Sequence, residues 1–317
     1  MNGSLGRGKT SRQPGRRPGT LICGVLIAAL LPGCSLRHMV IDKAGDALAS
    51  GGSSFAADDD PELIRDAAPL SLKLMESLLA ERPNHRGLLF ATASGFTQYS
   101  YAFVHQDAEA LEDSDLAAAA ALRARAQRLY RRARDYGLRG LEVSHSDFSA
   151  RLRAEPQAAV AVARKADVPL LYWTAASWAA LMSISKDNPE ALADLPIMEA
   201  LLDRALVLDE AYDHGAIHTF LISYEMVRQG APGDSESRAR AHFARATELS
   251  AGSQAAPYVA LAEAVAIPKQ DRHEYQALLN QALAIDPGKQ PQWRLANTVL
   301  QRRARWLLAR TDRYFIE

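Results

Sequence analysis

From Asp60 onward, apolar residues return every three or four positions, with polar residues between them. That spacing places one apolar stripe on each of a series of helices. Runs rich in Val, Ile and Thr are missing, and no segment alternates as a strand does. The pattern predicts helices over 61–82, 85–105, 115–142, 156–164, 168–186, 195–209, 213–229, 235–249, 256–266, 271–285 and 291–311. Asp60 is a good N-cap, Pro61 fits the first helical position and Glu62 suits the positive end of the helix dipole. Breaks are expected at Pro83-Asn84, loosely from Gly137 to Ser144, at Asn188-Pro189, from Gly230 to Gly233, at Gly252 and at Pro287-Gly288.

One stretch departs from the amphipathic rule. Between Val168 and Ser185 the chain carries no charge, and it holds Tyr172, Trp173, Trp178 and four small alanines. It is barely long enough to span a bilayer, and Pro169, Thr174 and Ser177 interrupt it. A helix apolar on every side is one buried on every side. Trp173 and Trp178 are five residues apart, so they point about 140° apart and serve different neighbours.

Three segments align without a gap: "LLDRALVLD" (201–209), "HFARATELS" (242–250) and "LLNQALAID" (278–286), with "LMESLLAERP" (74–83) as a fainter copy. Ala205, Ala246 and Ala282 correspond, and a small residue at a fixed place lets neighbouring helices approach. The expected fold is all-α: tetratricopeptide-like helical hairpin repeats stacked into one compact superhelical domain.

The first 57 residues read differently. Arg7, Lys9, Arg12, Arg16 and Arg17 precede an apolar run, "LICGVLIAALL" (21–31), which ends in Leu31-Pro32-Gly33-Cys34. A charged start, a short apolar stretch and a small residue before cysteine read as a lipoprotein signal peptide over 1–33, with Cys34 as the acylated first residue. Residues 34–57, containing "SGGSS", read as a flexible tether, and 58–317 as the folded body. Ser35 after the cysteine points to the outer membrane. The whole chain balances 37 basic against 37 acidic residues, and loss of the five leader cations leaves 32 against 37. Cys23 leaves with the leader, so no thiol pair remains to staple the body. "GSLGRGKT" (3–10) matches a phosphate-binding loop by letters, but no strand precedes it and it lies in the leader, so it is set aside.

Seven stretches together resemble the T-component (TatT family) lipoproteins of tripartite ATP-independent periplasmic (TRAP) transporters. They are "DPELIRDAAP", "GFTQYSYAFV" (95–104), "RAQRLYRRARDYGLRGLE" (125–142), "LYWTAASWAALMSISKD" (171–187), "DEAYDHGAIHTFLISY" (209–224), "AHFARATELSAG" (241–252) and "LANTVLQRRARWLL" (295–308). The resemblance runs from about Asp60 to Phe315. It implies a lipid-anchored periplasmic protein, trimeric, associated with a periplasmic solute-binding protein, with an apolar channel or pocket for a hydrophobic organic ligand. The alternative is a general envelope scaffold that binds proteins on its repeats and has no ligand of its own.

Catalysis has no positive signal: no Gly-x-Ser-x-Gly stretch and no cysteine nucleophile in the body. His214 and His218, four apart in "DHGAIH", are expected on one helix face, but Gly215 stands where a zinc protease needs Glu and no third ligand is evident. No metal or cofactor is expected, and the arginine-rich helix 115–142 reads as an exposed or intersubunit face, or as one for an acidic partner, not as a nucleic-acid site. Phe96, Tyr99 and Phe103 share a stripe. Tyr99, Trp173, Trp178, His214, His218 and Asn297 are the candidates for a polar-edged apolar pocket.

Overall fold

The computed structural model describes residues 52–185 and 192–316, with Gly3, Lys43 and residues 45–47. The expected leader, Cys34, most of the tether and the break at Asn188-Pro189 lie outside the described residues. Among the described residues the chain is all-α, with no strand and no helix long and apolar enough to cross a membrane.

A short helix, α1 (Gly52–Ala56), leads into α2 (Pro61–Glu81). Asp60 caps α2 by accepting from the backbone N–H groups of Glu62 and Leu63. Helix α3 (Arg86–Ser100) passes through a π-helical turn (Tyr101–His105) into α4 (Gln106–Leu111). Then come α5 (Leu116–Ser144), the short pair α6 (Phe148–Ala154) and α7 (Pro156–Val160), and α8 (Val168–Ser183). Helices α9 (Leu195–Leu208), α10 (Ala216–Tyr224), α11 (Ser235–Leu249) and α12 (Ala256–Leu261) follow. A second π turn (Ala262–Ala266) extends α12, and α13 (Arg272–Ala284), α14 (Arg294–Leu308) and α15 (Thr311–Tyr314) complete the chain.

Helix α8 is the hub. It packs against α3, α5 and α9, so the uncharged stretch is core. Its crossing with α5 is closest at two glycines. A Cβ on Gly137 would run into Thr174 Oγ1, and one on Gly140 would sit 2.6 Å from Leu170 Cδ2. The loose break expected from Gly137 to Ser144 therefore does not form. These glycines lie inside a continuous helix, where the missing side chain admits the neighbour.

Ala205, Ala246 and Ala282 are each fully buried, on α9, α11 and α13. Buried leucines, each stabilising by roughly 1.5–3 kcal/mol, fill the space between helices. One core joins α5 through α10, and another joins α10 through α15. A third joins α2, α3 and α5 and includes Val299 of α14.

That last contact decides the shape. Helix α14 returns to the start of the array. Arg294 donates to the Ala57 carbonyl at 3.1 Å, and Arg302 donates to the Ala102 carbonyl at 3.0 Å and pairs with Glu62 at 2.9 Å. Arg310 and Arg313 both meet Asp113. Residues some two hundred positions apart thus close a seam between the first helices and the last.

Candidate functional site

At this seam both π turns meet α14. A π turn inserts one residue into the helical ladder and turns the following face, a device often found at functional sites. The first turn is closed by the Gln106 N–H bonding to the Tyr101 carbonyl, and the second by the Ile267 N–H bonding to the Ala262 carbonyl at 3.2 Å. The first supplies Tyr101 and His105, α4 supplies Gln106 and Glu109, the second turn supplies Glu263, and α14 supplies Arg303. One guanidinium nitrogen of Arg303 meets Glu109, and the other meets Glu263 Oε1 at 2.6 Å. The guanidinium lies 4.5 Å from the Trp306 ring centroid.

Water reaches this cluster, yet protein crowds it. The Arg303 side chain is 11% exposed, whereas the Glu109 and Glu263 side chains are 30% and 29% exposed. Tyr101 is 38% exposed, but burial, then Glu263, pushes its phenol well above the ordinary value. Burial also raises the Glu263 carboxyl; Arg303 opposes that rise and Glu109 adds to it. Burial lowers His105, whose Nδ1 lies 3.3 Å from the Tyr130 hydroxyl. Burial works against the Arg303 charge, but Glu263 and Glu109 outweigh it and raise its pKa. Arg310 also stacks on the Trp306 ring, 4.3 Å from its centroid, and with Arg313 meets Asp113, so along the seam three arginines face three carboxyl groups. The buried Arg303 Nε has no hydrogen-bond partner, while the Gln106 amide lies against the Tyr101 hydroxyl and opposes the rise in its pKa.

The six residues chosen from sequence are spread through the body. Tyr99 is buried, with its hydroxyl accepting from Arg125 at 3.2 Å. Trp178 is 4% exposed and lies beneath Arg134 of α5, 4.9 Å from its guanidinium. Trp173 faces elsewhere: it is half-buried, packs edge-on to Tyr172 and points its indole N–H at the Tyr212 hydroxyl. His214 is exposed in the same 3-10 turn as Tyr212, with its ring 4.9 Å from that of Trp293. Asn297, 2% exposed, accepts from the Ala255 N–H at 2.9 Å and donates to the Ser253 carbonyl at 2.9 Å, tying down the loop before α12.

His214 and His218 do not share a helix face. Asp213, His214 and Gly215 all take positive φ, and α10 begins only at Ala216. His218 instead places its Nδ1 2.8 Å from Nδ1 of His242 on α11. Among the described residues, no three His, Cys, Asp or Glu side chains converge to hold a metal ion.

Arg128, Arg131, Arg132 and Arg139 of α5 line a groove of about 330 Å³ with Asp135 and Tyr136. Arg132 lies 3.5 Å from Glu76, and Arg139 donates to the Pro83 carbonyl at 3.1 Å. Arg128 and Arg131 are exposed, and neither has an ion pair among the described residues.

The family model of the TRAP transporter T-component matches residues 57–315. The chain belongs to that family. A protein of Treponema pallidum (strain Nichols) that bears the name "Uncharacterized protein" is 26% identical over 322 residues, spanning 95% of this chain and 100% of that protein. The T-component match covers every described helix from α2 to α14. It gives the chain an accessory role in a TRAP-type transport system, associated with the transporter's other components. The seam residues Tyr101, Gln106, Glu109, Glu263 and Arg303 were missed as a group by sequence reasoning. Their only local signal was a set of arginines in "LQRRARW", and neither π turn leaves a periodicity of its own.

Proposed function

We propose that this T-component is held on the periplasmic face of the envelope, in the outer membrane, by an acylated Cys34, with residues 34–57 as tether and 58–317 as body. It works as a trimer of tetratricopeptide-like subunits. It binds a periplasmic solute-binding protein and offers that partner's hydrophobic organic ligand an apolar channel or pocket. The observation that carries this reading is the family match over the whole folded body. One further feature supports it. The Arg128–Arg139 groove presents exposed guanidinium groups to an acidic protein surface.

The same groove suits the second reading, an envelope scaffold with no ligand of its own. Purification of the tagged full chain from its own envelope separates the two. A solute-binding protein recovered together with an extractable organic molecule is expected. Recovery of partners with no small molecule, from detergent-exchanged and from organic-solvent-extracted samples alike, would leave the scaffold. Arg131→Glu is expected to weaken recovery of the solute-binding protein several-fold, and more so at low salt. Cys34→Ala is expected to leave the precursor uncleaved; a variant that matures and stays membrane-bound would place the anchor elsewhere.

A further inference from the structure

We infer that the outer face of α2 rests on the lipid surface in which the chain is anchored, with Leu70 and Leu74 entering the head-group layer. The inference rests on the Cys34 anchor reading and makes its tether a short one.

The first observation is an apolar stripe that α2 turns to water. Ile64, Ala68, Leu72 and Leu79 are buried against the body. On the opposite face Leu63, Leu70 and Leu74 are 56%, 66% and 48% exposed. With Ala67 between the first two, the spacing is four, three and four residues, which lines them up along the helix. Among the described residues, no other helix exposes three large apolar side chains. Helix α2 stands at the start of the array and packs against α3 and, more lightly, α14. An end helix of a stacked array ordinarily turns a polar face to water. A continuous apolar strip in that place marks a contact surface.

The second observation is where the tether meets the body. Gly45 is buried, and a Cβ there would sit 2.9 Å from Leu88 Cδ1. The His85 ring accepts from the Leu88 N–H at 3.1 Å through Nδ1, which leaves its proton on Nε2, 3.4 Å from Asp46 Oδ1. Residues 45–47 are therefore seated at the turn between α2 and α3. Phe55 of α1 joins the core of α2, α3 and α5, and the Ala57 carbonyl accepts from Arg294. The chain before Asp60 is thus fixed to the body near both ends of α2. The free part of the tether ends at Lys43, nine positions after Cys34.

These lengths select lipid as the occupant. Nine residues reach at most about 30 Å even when fully extended. Leu74 and Leu70 lie roughly 10 and 16 Å along α2 from its end at Glu81. Acyl chains on Cys34 therefore hold the turn, and with it the leucine stripe, within one tether length of the bilayer. Three leucines alone would bind lipid weakly. A short tether raises their effective concentration at the surface to roughly millimolar, so the contact persists. The start of α2 is acidic, with Asp58, Asp59, Asp60 and Glu62, so the contact centres on the half nearer the turn.

The test places a nitroxide on single cysteines: Leu70→Cys, Leu74→Cys and, as reference, Val207→Cys on α9, where the valine is 76% exposed. All three positions face water, so the fold should tolerate the label. The full acylated chain is studied in vesicles of palmitoyl-oleoyl-phosphatidylcholine. Collisions of the label are measured with oxygen, which concentrates in lipid, and with a nickel chelate, which stays in water. The oxygen-to-nickel ratio at Leu70 and Leu74 is expected to exceed that at Val207 several-fold. A Leu70 label as open to nickel as the Val207 label, on a chain that still floats with the vesicles, would overturn the contact and leave the anchor standing. A chain that does not float with the vesicles would overturn the anchor reading and this inference with it. Strong dipolar coupling between Leu70 labels of different copies, persisting when the vesicles are diluted with excess lipid, would also overturn the inference, because a second copy would then cover the stripe.

Discussion

Two helix contacts hold this protein together, and they work by opposite means. Where α5 crosses α8, side chains are absent: Gly137 and Gly140 admit Thr174 and Leu170 against the backbone. Where α14 closes on α3 and α4, long charged side chains reach across, and water enters beside them. The dry crossing has one solution, because close-packed atoms cannot give way by even a methyl group without strain. The seam has latitude, because its partners are flexible side chains and partly hydrated carboxylates. The difference makes the crossing a rigid contact and the seam an adjustable one.

The sharpest way to break this comparison is to add one methyl group to the dry crossing. Gly137→Ala should destabilise by about 3 kcal/mol, at the upper end of the overpacking range, and Gly137→Leu should prevent folding. Thermal and denaturant unfolding measure the first. Thr174→Ala should relieve part of it in the double variant, since the two sites share one contact. A neutral Gly137→Ala would mean that the helices slide apart freely, and the contrast with the seam would vanish. Trp178→Ala should cost as much as Gly137→Ala or more, about 3–5 kcal/mol, because the ring is buried beneath Arg134. Half-buried Trp173 should cost less on the same substitution.

The dry part of the molecule was largely legible in the sequence. The uncharged run 168–185 declares a helix buried on all sides, and α8 is that helix. Asp60, Pro61 and the 3.6-residue stripes placed most helices within a few residues of their ends. The failures have local causes. Gly137 and Gly140 look like stops because glycine weakens a helix, yet here their value is tertiary. Helix α6 is seven residues long and is entered through Asp147 at positive φ, too little for a periodic signal. "DHGAIH" looks like one helical face until three successive positive φ values break it. The seam was illegible for a deeper reason. Arg303 gains its meaning only when α14 meets Glu109 and Glu263, 194 and 40 residues away.

The next largest effect should come from the seam itself. Arg303→Met leaves Glu109 and Glu263 facing each other without their shared cation. The loss at pH 8 should be about 2–3 kcal/mol, below the usual cost of breaking a buried pair because the carboxylates are partly hydrated. The pH dependence has a definite sign. Burial already raises the Glu263 carboxyl, and removal of the guanidinium would raise it further. A raised folded-state pKa means stability that is full at acid pH and lost as pH rises through that value. The deficit of the variant should therefore shrink from pH 8 towards pH 5. A deficit that stays constant across this interval would show that Arg303 acts by packing on Trp306, and the seam would join the crossing as a dry contact.

A third contact, between α10 and α11, sharpens the comparison because it is both buried and titratable. His218 and His242 meet nitrogen to nitrogen at 2.8 Å, so one must donate and the other accept. Burial lowers both; Glu210 opposes this for His218, while the charge of His218 adds to it for His242. Glu210 is itself held by Arg245, and Glu225, Arg228 and Arg238 face His242 from the other side. With both folded-state values below the ordinary 6.5, the unfolded chain takes up protons first as the pH falls. Stability from this pair is thus complete above about pH 6.5 and declines as pH drops through the folded-state values. The Tm should fall by a few degrees between pH 7.5 and 5.5, and His242→Leu should flatten that slope while lowering the Tm only slightly at pH 7.5. An unchanged slope in His242→Leu would mean that the α10–α11 contact does not sense protons and behaves as the dry crossing does. A flattened slope would place it between the two extremes, as a contact whose geometry is fixed by packing and whose strength is set by one shared proton.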